Sequence, residues 1–363
     1  MKTSITFLTA LALFCQSLSV FAQNVDYSMV SVGEEAGLDF KKITSDNDYV
    51  VMPSVKRFGG KASWDPRKII SVYAGGGKLA YLSQRDNSTN IFIKNLDGLG
   101  KTVQRTKRST VIDFSLSPNE EKIVFSERNG KVTRLFITDS ENGYICRQVT
   151  DGEYDSSPIF SNDMQHIFFG RLEGKGNSGI WCYSLSDNSL SNIVVGFSPL
   201  PLKGTDELVC VRKSRDGKSE IWIINYSTGV EECIVSSTER SFSSPSISPD
   251  GKWILMVGDS ALNTGKNLSY KNTDLFVCRI DGTDLTQLTY HAADDLSPVW
   301  SPDGKFIYFV SRRGSSTGTA NVWRISFITN YCCPLKVSEQ RDIHPQCCCN
   351  GIADDFSEGK PLS

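Results

Sequence analysis

The chain has 363 residues, 39 % hydrophobic and 22 % charged, with a formal net charge of −2. This is the composition of a soluble globular protein with enough chain for one large core. The near-balance of charge removes the electrostatic case for a nucleic-acid partner, and no basic cluster argues for a membrane surface. Lys101, Arg105, Lys107 and Arg108 fit a solvated strand edge.

Residues 1–22 read as a secretory signal peptide. Lys2 supplies the positive start, residues 5–13 the apolar centre, and Val20-Phe21-Ala22 the small-residue cleavage site before Gln23. Cys15 is preceded by Phe14, which is wrong for a lipidation signal. No later stretch is apolar for long enough to span a bilayer. The mature protein is therefore expected in the periplasm or outside the cell, as a monomer. Residues 23–64 form a lead-in to the repeats.

From about residue 65 to residue 335 the chain repeats one unit. Ser297-Pro298-Val299-Trp300-Ser301-Pro302-Asp303-Gly304-Lys305 is echoed by Ser244-Pro245-Ser246-Ile247-Ser248-Pro249-Asp250-Gly251-Lys252. Weaker copies surround Ser117-Pro118-Asn119 and Ser161-Asn162-Asp163. Proline presets φ at the second turn position, aspartate suits the third, and glycine takes the position that needs positive φ. Each Ser-Pro-Asp-Gly thus closes a hairpin between two apolar strands. A third strand follows, as in Asn321-Val322-Trp323-Arg324-Ile325-Ser326, and then a short fourth, as in Thr286-Gln287-Leu288-Thr289.

The first-hairpin turns fall near Gly76, Pro118, Asn162, Gly204, Pro249 and Pro302, about 42 to 53 residues apart, the spacing of four-stranded propeller blades. The pattern predicts an all-β fold, a six-bladed β-propeller of four-stranded antiparallel blades. The widest gap holds residues 259–271, polar and rich in Asn, Gly and Ser, which read as an inserted loop. A ring needs its last blade completed. Residues 38–44 or residues 334–337 can supply that strand, and the pattern does not choose between them.

This repeat resembles that of the TolB propeller family and, more distantly, WD-type repeats. The two Ser-Pro-Asp-Gly copies carry the resemblance, while the first and fourth units are degenerate at Ala74-Gly75-Gly76-Gly77 and Lys203-Gly204-Thr205-Asp206. TolB proteins carry an α/β domain before the propeller, and the roughly 40 residues between leader and first blade lead us to expect that domain to be absent. The resemblance implies a non-enzymatic scaffold that binds an envelope protein or peptide, an OmpA-like lipoprotein being the kind of partner implied.

Residues with chemistry are few. The three histidines, His166, His291 and His344, are scattered, and no nucleophile elbow or phosphate-cradling loop is present. No catalytic set, metal site or cofactor is expected. The crossings between blades place small hydroxyls and carboxylates at equivalent positions around one channel mouth. Asp155, Ser156, Ser243, His291, Asp294 and Asp295 are the binding candidates there. Capping of neighbouring backbone N–H groups explains the same residues equally well. The alternative function is a carbohydrate-binding protein or lyase using the channel.

Cys146, Cys182, Cys210, Cys233 and Cys278 lie on predicted strands and read as small apolar side chains. The tail, residues 336–363, follows Cys332 and Cys333 and holds Cys347, Cys348 and Cys349. In an oxidising compartment these five are disulfide candidates, pairing the first two with the last three.

Overall fold

The computed structural model describes Glu35 and residues 38–52, 56–58, 61–63, 72–97, 101–143, 145–172, 178–263 and 269–327. Residues 1–22, expected to be a leader, His344, residues 334–337 and the five tail cysteines lie outside these residues. After β1 (Lys41–Lys42) comes a 3₁₀ turn at Asp46–Asp48 and a small hairpin, β2 (Lys56–Phe58) with β3 (Lys61–Ser63). Six four-stranded antiparallel sheets follow.

Blade 1 is β4 (Tyr73–Gly75), β5 (Lys78–Arg85), β6 (Ser88–Asn95) and β7 (Val103–Gln104). Blade 2 is β8 (Val111–Leu116), β9 (Lys122–Asn129), β10 (Val132–Asp139) and β11 (Arg147–Gln148). Blade 3 is β12 (Asp155–Phe160), β13 (His166–Arg171), β14 (Gly179–Ser184) and β15 (Leu190–Val194). Blade 4 is β16 (Phe197–Pro201), β17 (Glu207–Lys213), β18 (Ser219–Asn225) and β19 (Glu231–Val235). Blade 5 is β20 (Phe242–Ile247), β21 (Trp253–Asn263), β22 (Ser269–Arg279) and β23 (Thr286–Gln287). Blade 6 takes β24 (Asp295–Trp300), β25 (Phe306–Ser311) and β26 (Asn321–Ser326) from the end of the repeat region and β1 from the N-terminal lead-in, with Lys41 opposite Arg324 and Lys42 opposite Trp323.

The repeated turn works through its serine as well as its proline and glycine. Ser248 Oγ donates to Asp250 at 2.6 Å and accepts the Trp253 N–H at 2.9 Å, while Asp250 accepts the Lys252 N–H at 3.1 Å. Ser301, Asp303, Lys305 and Phe306 reproduce this network. Gly251 and Gly304 sit at φ 72° and 69°, and in the weaker copies Glu120 and Met164 accept the same left-handed position. The serine hydroxyls hold Asp163, Asp250 and Asp303 below the usual carboxylate range.

The core is divided into six seams, one between each pair of neighbouring blades. Along β21, Ile254 and Met256 pack towards blade 4, while Leu255 and Val257 pack towards blade 6. Both faces of a blade are therefore buried, which is why second and third strands read as nearly unbroken apolar runs. The seam between blades 6 and 1 draws in Val50 of the lead-in beside Tyr81, Phe92, Tyr308 and Val322.

Two expectations are corrected. Residues 259–271 are no simple loop, since β21 and β22 run 11 residues each and stay paired out to Asn263 opposite Ser269. The ladder is made by backbone groups, so a polar, Asn-rich segment can extend it. The strand cysteines also divide: Cys182, Cys210 and Cys278 are buried, Cys146 is half-buried and Cys233 is exposed. Burial pushes the Cys210 and Cys278 thiols up to about 12 and that of Cys182 to about 11, so all three act as apolar fillers.

Candidate functional site: the central channel

The innermost strands of all six blades enclose a cavity of about 260 Å³ on the channel axis. Each blade contributes the same short stretch. In blades 3 to 6 that stretch begins with a Ser-Pro pair: Ser157-Pro158, Ser198-Pro199, Ser244-Pro245 and Ser297-Pro298. The four serines share a left-handed backbone, with φ of 53°, 53°, 49° and 53°. At each pair the register with the second strand slips, forming a β-bulge. A non-glycine residue in this conformation costs about 1–3 kcal/mol, so the ring holds the same strain four times. The inner strand's free edge faces the channel, which is where a proline without an N–H can be tolerated.

Aliphatic and aromatic side chains make up most of the remaining wall, including Val72, Phe114, Ile159, Leu200 and Val299. Ser115 and Ser246 also line it. The Oγ atoms of Ser115 and Ser198 are buried and have no hydrogen-bond partner among the described residues. Tyr73, also on the wall, donates to Glu120 at 2.7 Å. Asp113 is fully buried on β8 and accepts the Ser157 N–H at 2.8 Å, joining blades 2 and 3. Burial pushes its carboxyl up to about 6, against the opposing pull of Ser126 and the Ser157 N–H.

None of the six mouth candidates lies on this cavity wall. Asp155 is buried and accepts from Arg171 Nε and Nη2 at 2.7 and 3.0 Å. Asp295 is buried in an ion pair with Arg313, whose guanidinium also reaches both carboxylate oxygens of Glu35, at 3.1 and 3.2 Å. Ser156 and Ser243 are buried one residue before the bulged serines. The His291 Nδ1 accepts the Ala293 N–H at 2.9 Å, and its carbonyl accepts from Asn272. Asp294 accepts the Thr273 N–H at 3.0 Å and stays partly exposed. His291, Asp294 and Asp295 are thus brought together at one crossing, while Asp155, Ser156 and Ser243 lie in other blades. The cavity residues were signalled in the sequence by the Ser-Pro pair common to four blades. Among the described residues no group of three or more His, Cys, Asp or Glu is arranged to hold a metal.

Fold and turn chemistry define a six-bladed β-propeller. Its repeat is TolB-like: the profile of the TolB beta propeller domain matches residues 213–353. The Tol-Pal system protein TolB of Francisella tularensis subsp. holarctica (strain OSU18) is 24 % identical over 249 residues, covering 67 % of this chain and 53 % of that protein. The chain thus spans about half the length of such curated relatives. The uncharacterized peptidase YuxL of Bacillus subtilis (strain 168) is 27 % identical over 213 residues, 53 % of this chain and 30 % of that one. Among solved structures, TolB from Acinetobacter baumannii superposes with a TM-score of 0.55 at 17 % identity, over 69 % of this chain and 64 % of that chain. A putative TolB from Agrobacterium tumefaciens gives 0.51 at 13 % identity, over 71 % and 90 %. Likeness at this identity speaks for the fold.

Proposed function

We propose that this protein is a non-enzymatic scaffold of the cell envelope that binds a protein or peptide partner. The observation that carries the reading is the TolB-like repeat, shared with relatives named for a Tol-Pal system. The state of the mouth residues agrees with it. Asp155 and Asp295 are committed to arginines, and His291 is used in a backbone contact. The partner surface in this reading is the mouth formed by the crossings, where Asp294 is the acid left partly exposed. An OmpA-like lipoprotein is the partner class, and residence in the periplasm or secretion follows from the leader in residues 1–22. No helix among the described residues is long and apolar enough to cross a membrane.

The test is crosslinking of the tagged mature protein in its native envelope, followed by mass-spectrometric identification. A reproducible OmpA-like lipoprotein, captured less well by Asp294→Lys, is the expected result. A clean bait that instead binds or cleaves an oligosaccharide would overturn the reading.

A further inference from the structure

Blade 5 outgrows the ring on the side of the crossings. β20 pairs with β21 only as far as Gly258, and β23 pairs with β22 only at Phe276 and Val277, yet β21 and β22 stay paired out to Asn263 and Ser269. Beyond the ring they form a two-stranded ribbon, which is marginal by itself in water. Its base is pinned to the crossing between blades 5 and 6. Thr273 N–H donates to Asp294 at 3.0 Å, and Asn272 Nδ2 donates to the His291 carbonyl. The Leu275 carbonyl accepts the Leu288 N–H at 2.8 Å, so Leu275 turns its main-chain groups towards β23. Strand alternation then puts the N–H and C=O of Thr273, Lys271 and Ser269 on that same edge. Asp294 covers Thr273, and no strand among the described residues covers Lys271 or Ser269.

The lead-in arrives at this edge. Glu35 accepts the Tyr290 N–H at 2.7 Å, in the crossing that pins the ribbon, and is held there by Arg313. Residues 23–34 therefore lead to the ribbon's base. Val25-Asp26-Tyr27-Ser28-Met29-Val30-Ser31-Val32 is rich in β-branched and aromatic residues and holds no Pro or Gly, a strand-forming composition. The 12 residues 23–34 reach roughly 40 Å when extended, and the edge from Thr273 to Ser269 needs only about 13 Å. Charge agrees: residues 23–34 contain Asp26 and Glu34 and no base, while residues 260–271 contain Lys266 and Lys271 and no acid. We propose that residues 25–32 add to the free edge of β22 as a third strand of the ribbon. The segment ends at the ribbon's base, as the β22 extension does, so the two run parallel. Parallel bridges already occur at the start of the third strand in blades 1 and 2, Thr89 with Thr110 and Thr133 with Tyr154. The lead-in thus acts twice. It closes blade 6 through β1, and it straps the ribbon beside the crossing that carries Asp294, whichever partner that crossing binds.

Hydrogen–deuterium exchange of the chain expressed from Gln23, read by mass spectrometry, tests this. Amides of residues 25–32 should exchange at least about tenfold more slowly than in a synthetic peptide of residues 23–34, the worth of about one net hydrogen bond each. Ala261 and Lys271 face each other in the ribbon, and their N–H groups point out of opposite edges, so proline at either leaves the ribbon's own ladder intact. Lys271→Pro should abolish the protection of residues 25–32, and Ala261→Pro should leave it. Replacing residues 25–32 by a Gly-Ser repeat, which leaves the ribbon's sequence untouched, should speed exchange at Ser269 and Lys271 about tenfold and decides the matter should Lys271→Pro fail to fold. Residues 25–32 exchanging as fast as the free peptide, protection surviving Lys271→Pro or lost equally in Ala261→Pro, or a ribbon indifferent to the Gly-Ser replacement would overturn the proposal.

Discussion

Blades 3 and 6 carry the same buried acid at the start of the inner strand, Asp155 and Asp295; the first meets Arg171 at the end of its second strand and the other meets Arg313, two residues past the end of its second strand. In blade 3 both members of the pair come from one blade. Arg171 stacks on Trp181 of its own blade, and the blade finishes with its own fourth strand, β15. In blade 6 the arginine reaches the lead-in. Arg313 also binds Glu35 and lies over Phe40, 4.2 Å from its ring centroid, so the lead-in is held where it supplies β1. The lead-in then reaches blade 1, where Val51 N–H donates to Leu82 O at 3.0 Å and Asp48 accepts the Tyr81 hydroxyl at 2.8 Å. The blade 6 pair, extended to Glu35, becomes the fastening between the last blade and the first.

The sharpest way to break the comparison is Arg171→Met against Arg313→Met. Each strands a buried carboxylate, which typically costs about 3–5 kcal/mol. The Arg313 variant abandons Glu35 as well, so adding Glu35→Gln should reduce its loss and leave that of the Arg171 variant unchanged. Urea unfolding midpoints would measure both, and an Arg313 variant indifferent to Glu35→Gln would mean that the lead-in contributes nothing through this residue.

Asp113 provides the contrast of a buried carboxylate between blades whose carboxyl is raised, to about 6, by burial. Its folded pKa lies above the ordinary 3.8, so the folded state binds the extra proton between about pH 4 and pH 6. Stability from this group is complete below pH 4 and lost as pH rises through 6. Asp113→Asn should therefore stabilise the protein at pH 7, by about 1–3 kcal/mol, and leave it unchanged near pH 4. Denaturation at the two pH values checks the sign.

Glu35→Gln keeps the shape of the clasp and removes one charge. A loss of about 1–2 kcal/mol is expected, with faster amide exchange at Ile43, whose N–H bonds Val322 O at 2.9 Å. Smallest is Ser301→Ala, which removes the hydroxyl organising one hairpin turn. It should cost about 1 kcal/mol, and the same change at Ser248 should match it.

How much of this was legible in the sequence follows from what each feature requires. All six hairpin turns fall where the Pro, Asn and Gly signals put them, because a turn is specified locally by the residues in it. The closing strand was ambiguous because β1 is two exposed lysines, with no apolar alternation to mark them. The clasp joins Glu35 to Arg313, 278 positions apart, and nothing near either residue announces the other. The cavity wall lies one residue beyond the mouth candidates Ser156 and Ser243. Ser156 and Ser243 carry hydroxyls suited to a rim, but the bulge that follows them breaks the two-residue alternation, and their neighbours Ser157 and Ser244 line the cavity.

The central claim, a TolB-like propeller acting as a binding scaffold, is met most directly by calorimetric titration of the purified mature chain with the soluble domain of an OmpA-like lipoprotein from the same envelope. Saturable one-to-one binding, weakened by Asp294→Lys, is the predicted result. No heat with that partner, together with turnover of a pectin-type oligosaccharide by the same preparation, would contradict it.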